Sequence, residues 1–306
     1  MQDTNILGIY GFPSLLGVSV SQQLDFSSLG IVRKPGEKVG SICRIEDYTG
    51  RQLTCNIEYN EFESILRQVN GFGDEANENG NSSYPGNINV LCVVIDSYME
   101  TLKQTQGIIP EFINPKYVDE TKTTFLSPSR LECMMQDLPK LMNQKMNVGY
   151  CSLPRWLCFS AAKNNVENAL IQEEKTGYGE SMFSMEEDYY KLFRKVLRRS
   201  SILIGEEEWD EEITPAVGIP STPIIILSPE TALSVSEMGM HFSGFVKMNK
   251  NSVLYLDGKN IHLKDVIIDG SILIQSTGEE NTLLERKRIH NAGWRFVQSE
   301  EDCLRK

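Results

Sequence analysis

Histidine is scarce in this 306-residue sequence: there are three, at positions 241, 262 and 290. The first 240 residues therefore offer no Ser-His or Cys-His nucleophile pair and no histidine-based zinc site, which disfavours covalent catalysis there. Net positive charge is missing as well. Thirty Lys and Arg face 42 Asp and Glu, giving a net charge of -12 and a pI near 4.9. Such a balance argues against a nucleic-acid-binding surface, which needs clustered cations to neutralise phosphates. A small phosphorylated substrate is still allowed, because a few local cations can hold it inside an acidic protein. No apolar run approaches the ~20 residues of a membrane span, and the N-terminus shows no basic-then-apolar leader, so a cytoplasmic protein is expected. The seven cysteines, at 43, 55, 92, 133, 151, 158 and 303, are scattered with no C-x-x-C pair and read as reduced thiols. A phosphate-cradling glycine loop is also lacking. Gly71-Phe72-Gly73 and Gly177-Tyr178-Gly179 have no third glycine and no strand-then-helix context, and both read as turns.

What is present is an ordinary soluble composition, 40% apolar and long enough for two domains. Asn5 to Tyr10 reads as a strand, apolar enough to lie inside a parallel sheet, followed by a helix or loop from Ser14 to Gln23. Alternation from Gly40 to Tyr59 around Gly50 predicts a hairpin. Residues Gly71 to Gly86, rich in Gly, Asn and Asp, form a long loop expected at the rim of an active site. Ile88 to Val94 is a buried strand, Asp96 to Gln106 a surface helix, and Leu131 to Leu141 is expected to be helical. Val148 to Phe159 reads as extended with an irregularity at Pro154, and Met185 to Arg199 as a helix with basic residues in its last turns. The acidic run 206–212 is read as a solvated connector. From Pro223 the texture changes to short β-branched runs separated by Gly258 and Gly270, a solenoid-like or small-sandwich pattern. A domain boundary is placed near Ser228, dividing 1–227 from 228–306.

Three blocks carry most of the chemical information: Pro85-Gly86-Asn87-Ile88-Asn89, Ser129-Arg130-Leu131-Glu132-Cys133-Met134-Met135-Gln136-Asp137, and Ala162-Lys163-Asn164-Asn165. The first closes the glycine- and asparagine-rich loop, the second lies beside Lys122 and Arg130, and the third sets one lysine at a strand end. This is the layout of a phosphate-handling α/β site. An ammonium at Lys163 can meet phosphate charge in a transition state. Glu58 and Asn87 can orient hydroxyl groups, the carboxylate as an acceptor and the amide as both donor and acceptor. Gly40 lets a backbone approach a ligand closely. Lys122 and Arg130 either clamp phosphate or pair with Glu120 and Glu132 on the surface, and the surface pairing is favoured.

In order and spacing these blocks resemble those of the UDP-sugar pyrophosphorylases, and the resemblance covers nearly the whole chain. It runs from Gln2-Asp3-Thr4-Asn5 through Gly11-Phe12-Pro13-Ser14-Leu15-Leu16-Gly17, Ile57-Glu58-Tyr59-Asn60 and Glu111-Phe112-Ile113-Asn114-Pro115-Lys116-Tyr117 to Asn291-Ala292-Gly293-Trp294. The wording of the second and third blocks is similar to the broad-specificity branch. The resemblance implies a partial Rossmann-like nucleotidyltransferase domain of the GT-A type, α/β in class, followed by a small β-rich, solenoid-like domain. It implies uridylyl transfer from UTP to a monosaccharide 1-phosphate, giving UDP-sugar and pyrophosphate, with Lys163 on the phosphates. Gly40, Glu58, Asn87, Lys122 and Arg130 are then sugar-phosphate contacts. Asp3 is the implied contact for Mg²⁺, or Mn²⁺ in its place. Where the family pattern often has a second glycine, this chain has Ser41. The family's glycine-rich nucleotide loop lies upstream of the Gln-Asp-Thr-Asn stretch, so the chain is expected to need a separate N-terminal half and otherwise to be monomeric. The alternative is a non-catalytic sugar-phosphate-binding or regulatory subunit, or an inactive fragment. With Asn5 to Tyr10 as an inner strand, the chain alone is expected to expose a sheet edge and aggregate.

Overall fold

The computed structural model describes all residues except 114, 116, 120, 122, 130, 200–202, 205–215, 219–222 and 294–306. Two compact units emerge, one of residues 1–2 and 14–154, the other of 3–13 and 155–306. The chain passes between them after Gln2, after Pro13 and after Pro154. No helix among the described residues is long and apolar enough to cross a membrane.

The second crossing lies within helix α1, Gly8–Ser21, which contains Pro13. Asn5 to Tyr10 is thus not the expected inner strand. A short apolar run cannot be assigned by periodicity alone, and here Leu7, Tyr10 and Leu15 are buried at helical spacing. Only Asn5 makes a β-bridge, to Ala161. The expected bare sheet edge at this segment falls with the strand.

Unit 1 is built on a mixed sheet of β1 (Phe26–Ile31), β2 (Ser41–Glu46), β3 (Gln52–Ile57), β4 (Gly86–Val93) and β7 (Val148–Leu153), in the order β3-β2-β4-β1-β7. β1 pairs in parallel with β7 and antiparallel with β4, and all six of its residues are buried, as befits a central strand covered on both faces. β2 and β3 form the expected hairpin. Its register sets Cys43 directly opposite Cys55, both buried free thiols. Helix α2 (Tyr59–Asn70) lays Phe62 and Leu66 against Cys43, and α3 (Ile95–Thr105) follows β4. Gly71 and Gly177 are left-handed C-caps, of α2 and of α5 (Val166–Thr176) respectively, which accounts for both incomplete glycine motifs as turns.

The block from Leu131 to Leu141 is not one helix. Leu131–Cys133 is strand β6, paired with β5 (Glu111–Ile113), and Met135–Lys140 is a 3-10 helix. Pro139 lacks the N–H that an α-helical ladder would require, and the short 3-10 turn tolerates it. The extended reading of Val148 to Phe159 holds only to Leu153, after which Arg155–Cys158 forms the short helix α4. The loop from Gly71 to Gly86 is closed by a buried ion pair, Arg33 to Asp74 at 2.6 Å, with Ser82 donating to Asp74 at 2.7 Å.

Unit 2 joins α4, α5 and α6 (Met182–Arg199) to strands β8 (Leu203–Ile204), β9 (Ile224–Leu227), β10 (Phe242–Met248), β11 (Val253–Asp257), β12 (Ile261–Asp269), β13 (Ser271–Gln275), β14 (Thr282–Glu285) and β15 (Arg288–His290), with helix α7 (Val235–Met240) between β9 and β10. The strands stack in parallel as β13-β11-β9 and β14-β12-β10-β8, with β15 also on β12. This is the solenoid-like stacking expected from the spacing of Gly258 and Gly270. In-register apolar side chains fill it, Ile225 beside Leu254 and Leu227 beside Leu256. The strands beyond Ser228 do not form a compact unit of their own. They share one core with Leu7, Tyr10 and the α6 residues Leu192, Phe193, Val196 and Leu197. The apolar stripe of α6 needs that sheet to be buried, so the break in texture at Ser228 falls inside unit 2. The acidic run, Cys303 and Trp294 lie outside the described residues.

Candidate functional site

Unit 1 gathers three of the expected sugar contacts into one network. Glu58 ends the hairpin and is the N-cap residue of α2, yet its side chain makes no capping bond. Oε1 accepts instead from Asn56 Nδ2 and from Gln136 Nε2, both at 2.7 Å. Asn87 Nδ2 donates to Asn56 Oδ1 at 3.3 Å, and the Asn87 backbone N–H donates to the Gly40 carbonyl at 2.7 Å. Asn56, Asn87 and Gln136 are buried and Glu58 is half-buried. Glu58 Oε2 accepts no hydrogen bond among the described residues. The arrangement therefore presents one oriented carboxylate oxygen to a ligand's hydroxyl, backed by amides locked by their neighbours.

Local geometry explains why these residue types stand here. A Cβ on Gly40 would lie 2.6 Å from Asn56 Oδ1 and 3.0 Å from Glu58 Oε1, so glycine makes room for the network itself. Pairing of β4 with β1 shifts register between Ser28 and Gly30, and opposite that shift Asn89 takes a left-handed φ of 58°. The Asn89 N–H donates to Asn87 Oδ1 at 3.0 Å, an Asx-type turn that holds the Asn87 amide in place. Ser41 is fully buried with its Oγ unpartnered.

Burial pushes the Glu58 carboxyl above the ordinary carboxylate range; hydrogen bonds from Asn56 and Gln136 oppose the shift, and the negative charge of Asp137 adds to it. Its protonated form is thus favoured more by the folded than by the unfolded chain. Stability contributed by this group falls as pH rises from the ordinary carboxylate range through the raised folded value. Glu58→Gln keeps the Oε1 acceptor and removes the charge. We expect a higher Tm at neutral pH, with the gain vanishing in acid, where both proteins carry a neutral side chain. Melting curves across pH check this, and a lower Tm at neutral pH would refute the assignment.

Asn56 and Gln136 were not singled out by sequence reasoning. Asn56 had a signal, since it lies two residues before Glu58 in a strand and so shares its face. Gln136 had none, because its block read as a helix.

Unit 2 holds Lys163 and Asp3. The antiparallel bridge of Asn5 with Ala161, and the Ala162 N–H on the Thr4 carbonyl at 3.0 Å, bring the Asp3 and Lys163 backbones side by side in register. Fully buried Asn5 fastens the bridge, donating to Cys158 O and accepting from Ser160 N, both at 3.0 Å. In the third block the two asparagines are structural. Asn164 donates to Gly179 O at 2.9 Å, and Asn165 caps α5 by accepting from Asn168 N at 3.0 Å. Lys163 sends its N–H to Glu180 O at 2.8 Å and leaves its ammonium exposed, 3.8 Å from Glu180 Oε2. Arg155 shares that carboxylate at 3.5 Å and lies over the Tyr178 ring at 3.9 Å. Asp3 is exposed, and no group of three or more His, Cys, Asp or Glu suited to a metal occurs among the described residues. One free carboxylate fits a cation that keeps most of its waters or takes substrate phosphate oxygens, as Mg²⁺ does. Lys122 and Arg130 lie outside the described residues.

No protein-family profile matches the chain. It is 35% identical over 294 residues to a UDP-sugar pyrophosphorylase of Oryza sativa subsp. indica, covering 96% of this chain and 47% of that protein. Against the UDP-sugar pyrophosphorylase of Arabidopsis thaliana it is 34% identical over 295 residues, with the same coverage. Among solved structures, one from Entamoeba histolytica assigned as a UDP-N-acetylglucosamine pyrophosphorylase superposes with a TM-score of 0.54 at 18% identity, over 82% of this chain and 54% of that one. That likeness shows a shared fold. The chain spans about half the length of the curated relatives it matches, and over nearly its whole extent it is homologous to roughly the C-terminal half of the UDP-sugar pyrophosphorylases.

Proposed function

We propose that the chain is the sugar-phosphate-handling part of a uridylyltransferase that joins UTP and a monosaccharide 1-phosphate to give UDP-sugar and pyrophosphate. In that reaction a phosphate oxygen of the sugar 1-phosphate bonds to the α-phosphorus of UTP, and the bond to the bridging oxygen of pyrophosphate breaks. No protein nucleophile is needed, which suits a histidine-poor chain. The work left to the protein is alignment and charge. The observation that carries the reading is the Asn87–Asn56–Glu58–Gln136 network, a set of interlocked amides holding one carboxylate with an oxygen to spare.

Glu58 and Asn87 orient the sugar, Gly40 gives their network its room, and the Lys163 ammonium opposes phosphate charge. Lys122 and Arg130 remain candidate phosphate contacts on their sequence positions alone. Asp3 would hold Mg²⁺, or Mn²⁺, which when bound supplies charge neutralisation between the phosphates.

The test splits the two substrates. Asn87→Ala should raise KM for the sugar 1-phosphate by roughly tenfold and leave that for UTP nearly unchanged, as loss of a contact to one substrate requires. Pyrophosphate release, assayed with the chain alone and combined with the N-terminal half of a curated relative, gives both constants. Calorimetric titration of glucose 1-phosphate onto the chain checks the sugar contact without turnover. Equal damage to both Michaelis constants would overturn the assignment of Asn87.

A further inference from the structure

In unit 2, Lys163 is held at two places by a single residue. The Lys163 and Asn164 N–H groups both donate to the Glu180 carbonyl, at 2.8 and 3.0 Å. The Glu180 side chain then turns back to the same lysine, with Oε2 3.8 Å from the ammonium, and no other carboxylate pairs with Lys163 among the described residues. To do both, Glu180 takes a left-handed φ of 51°, a conformation uncommon for a residue other than glycine and one that persists only where the surroundings hold it. Arg155 supplies that hold on the carboxylate. Its guanidinium lies 3.5 Å from Glu180 Oε1, over the Tyr178 ring at 3.9 Å and over the buried Phe159 ring at 4.7 Å. Stacking of this kind fixes a planar guanidinium. The Arg155 and Glu180 side chains are 15% and 10% exposed, the Lys163 side chain 35%. The carboxylate therefore has a stacked, sheltered partner on one oxygen and a long contact to a solvent-facing ammonium on the other. An exposed pair of that length is weak, and phosphate can take the ammonium from it. Glu180 is not left without a counter-charge when that happens, because Arg155 stays.

We propose that Glu180 is a positioning residue for Lys163: it fixes the lysine backbone, holds the ammonium in a weak pair, and yields it to substrate phosphate while Arg155 keeps the carboxylate. The inference rests on the reading of Lys163 as a phosphate contact. E180Q keeps both backbone bonds and an acceptor oxygen for Arg155, but removes the charge that competes for the ammonium. Calorimetric titration of inorganic pyrophosphate onto the chain should show E180Q binding about two- to fivefold more tightly than wild type, the size of one exposed ion pair. K163A should bind more weakly than wild type, and K163A/E180Q should match K163A within about twofold, because the gain runs through the lysine. Damage to the fold would weaken binding in E180Q, not tighten it. In the pyrophosphate-release assay with the N-terminal half of a curated relative, E180Q should lower kcat about fivefold without raising either Michaelis constant, since the ammonium is free to bind but no longer aimed. E180D, which keeps the charge, should stand closer to wild type in both measurements. Unchanged or weaker pyrophosphate binding in E180Q, or a gain that survives in K163A/E180Q, would overturn the role of Glu180 and leave that of Lys163 standing. Undiminished binding and turnover in K163A would overturn the reading of Lys163 itself.

Discussion

Lys163→Ala should lower turnover in uridylyl transfer by on the order of 10²-fold, the usual consequence of removing one charge partner of a transition state. Stability should hardly change. The structural work at this position is done by the backbone, through the Lys163 N–H on Glu180 O at 2.8 Å, and alanine keeps that bond. The side chain's own pair with Glu180 is long, at 3.8 Å, and its ammonium is exposed, so the pair contributes little to folding. Steady-state pyrophosphate release beside a melting curve separates the two effects. Wild-type turnover in the variant would remove Lys163 from the mechanism, and a large fall in Tm would show that the residue is structural.

Asp74→Ala should be the most damaging substitution for unit 1. The Arg33 and Asp74 side chains are 2% and 1% exposed and meet at 2.6 Å. Arg33 also lies over the Phe62 ring at 4.9 Å, and its Nε already lacks a partner. Without Asp74 a buried guanidinium loses its counter-charge, and Ser82 loses the acceptor that closes the loop after α2. Breaking a buried pair in this way costs about 3–5 kcal/mol, or roughly a ten-degree fall in Tm for a unit of this size. Denaturant unfolding measures it. Replacing both partners, as Arg33→Met with Asp74→Leu, should recover much of the loss, since no charge is then left buried alone. A variant Asp74→Ala within about 1 kcal/mol of wild type would show that water or a rearranged carboxylate replaces the pair.

The loop concerned illustrates where sequence reading stops. Its glycine, asparagine and aspartate content marks it correctly as a loop, but composition carries no sign that Asp74 meets Arg33, 41 residues away. The α1 segment fails differently. Six largely apolar residues suit a strand or a buried helix equally, and the choice belongs to the core that receives Leu7 and Tyr10. At Met135–Lys140 the apolar spacing suggested a helix, and Pro139 limited it to a 3-10 turn that carries Gln136 to Glu58. At Gly40 the structure adds a reason for glycine that the sequence did not show. Its missing Cβ leaves space for Asn56 and Glu58, two side chains of the same protein.

By itself the sequence determined the hairpin, the long helix read over Met185 to Arg199 and found over Met182–Arg199, and the repeated short β runs beyond Pro223. Each of these depends on residue type and on spacing within a few positions, which short-range sterics and hydrophobic periodicity are enough to set. Tertiary structure alone decided that Asn56 and Gln136 stand with Glu58 and Asn87, that Asp3 runs beside Lys163, and that the late strands share a core with α6. Those juxtapositions join residues as far apart in sequence as Asp3 and Lys163, and only packing and hydrogen-bond satisfaction in the folded chain select among the many pairings a local pattern allows.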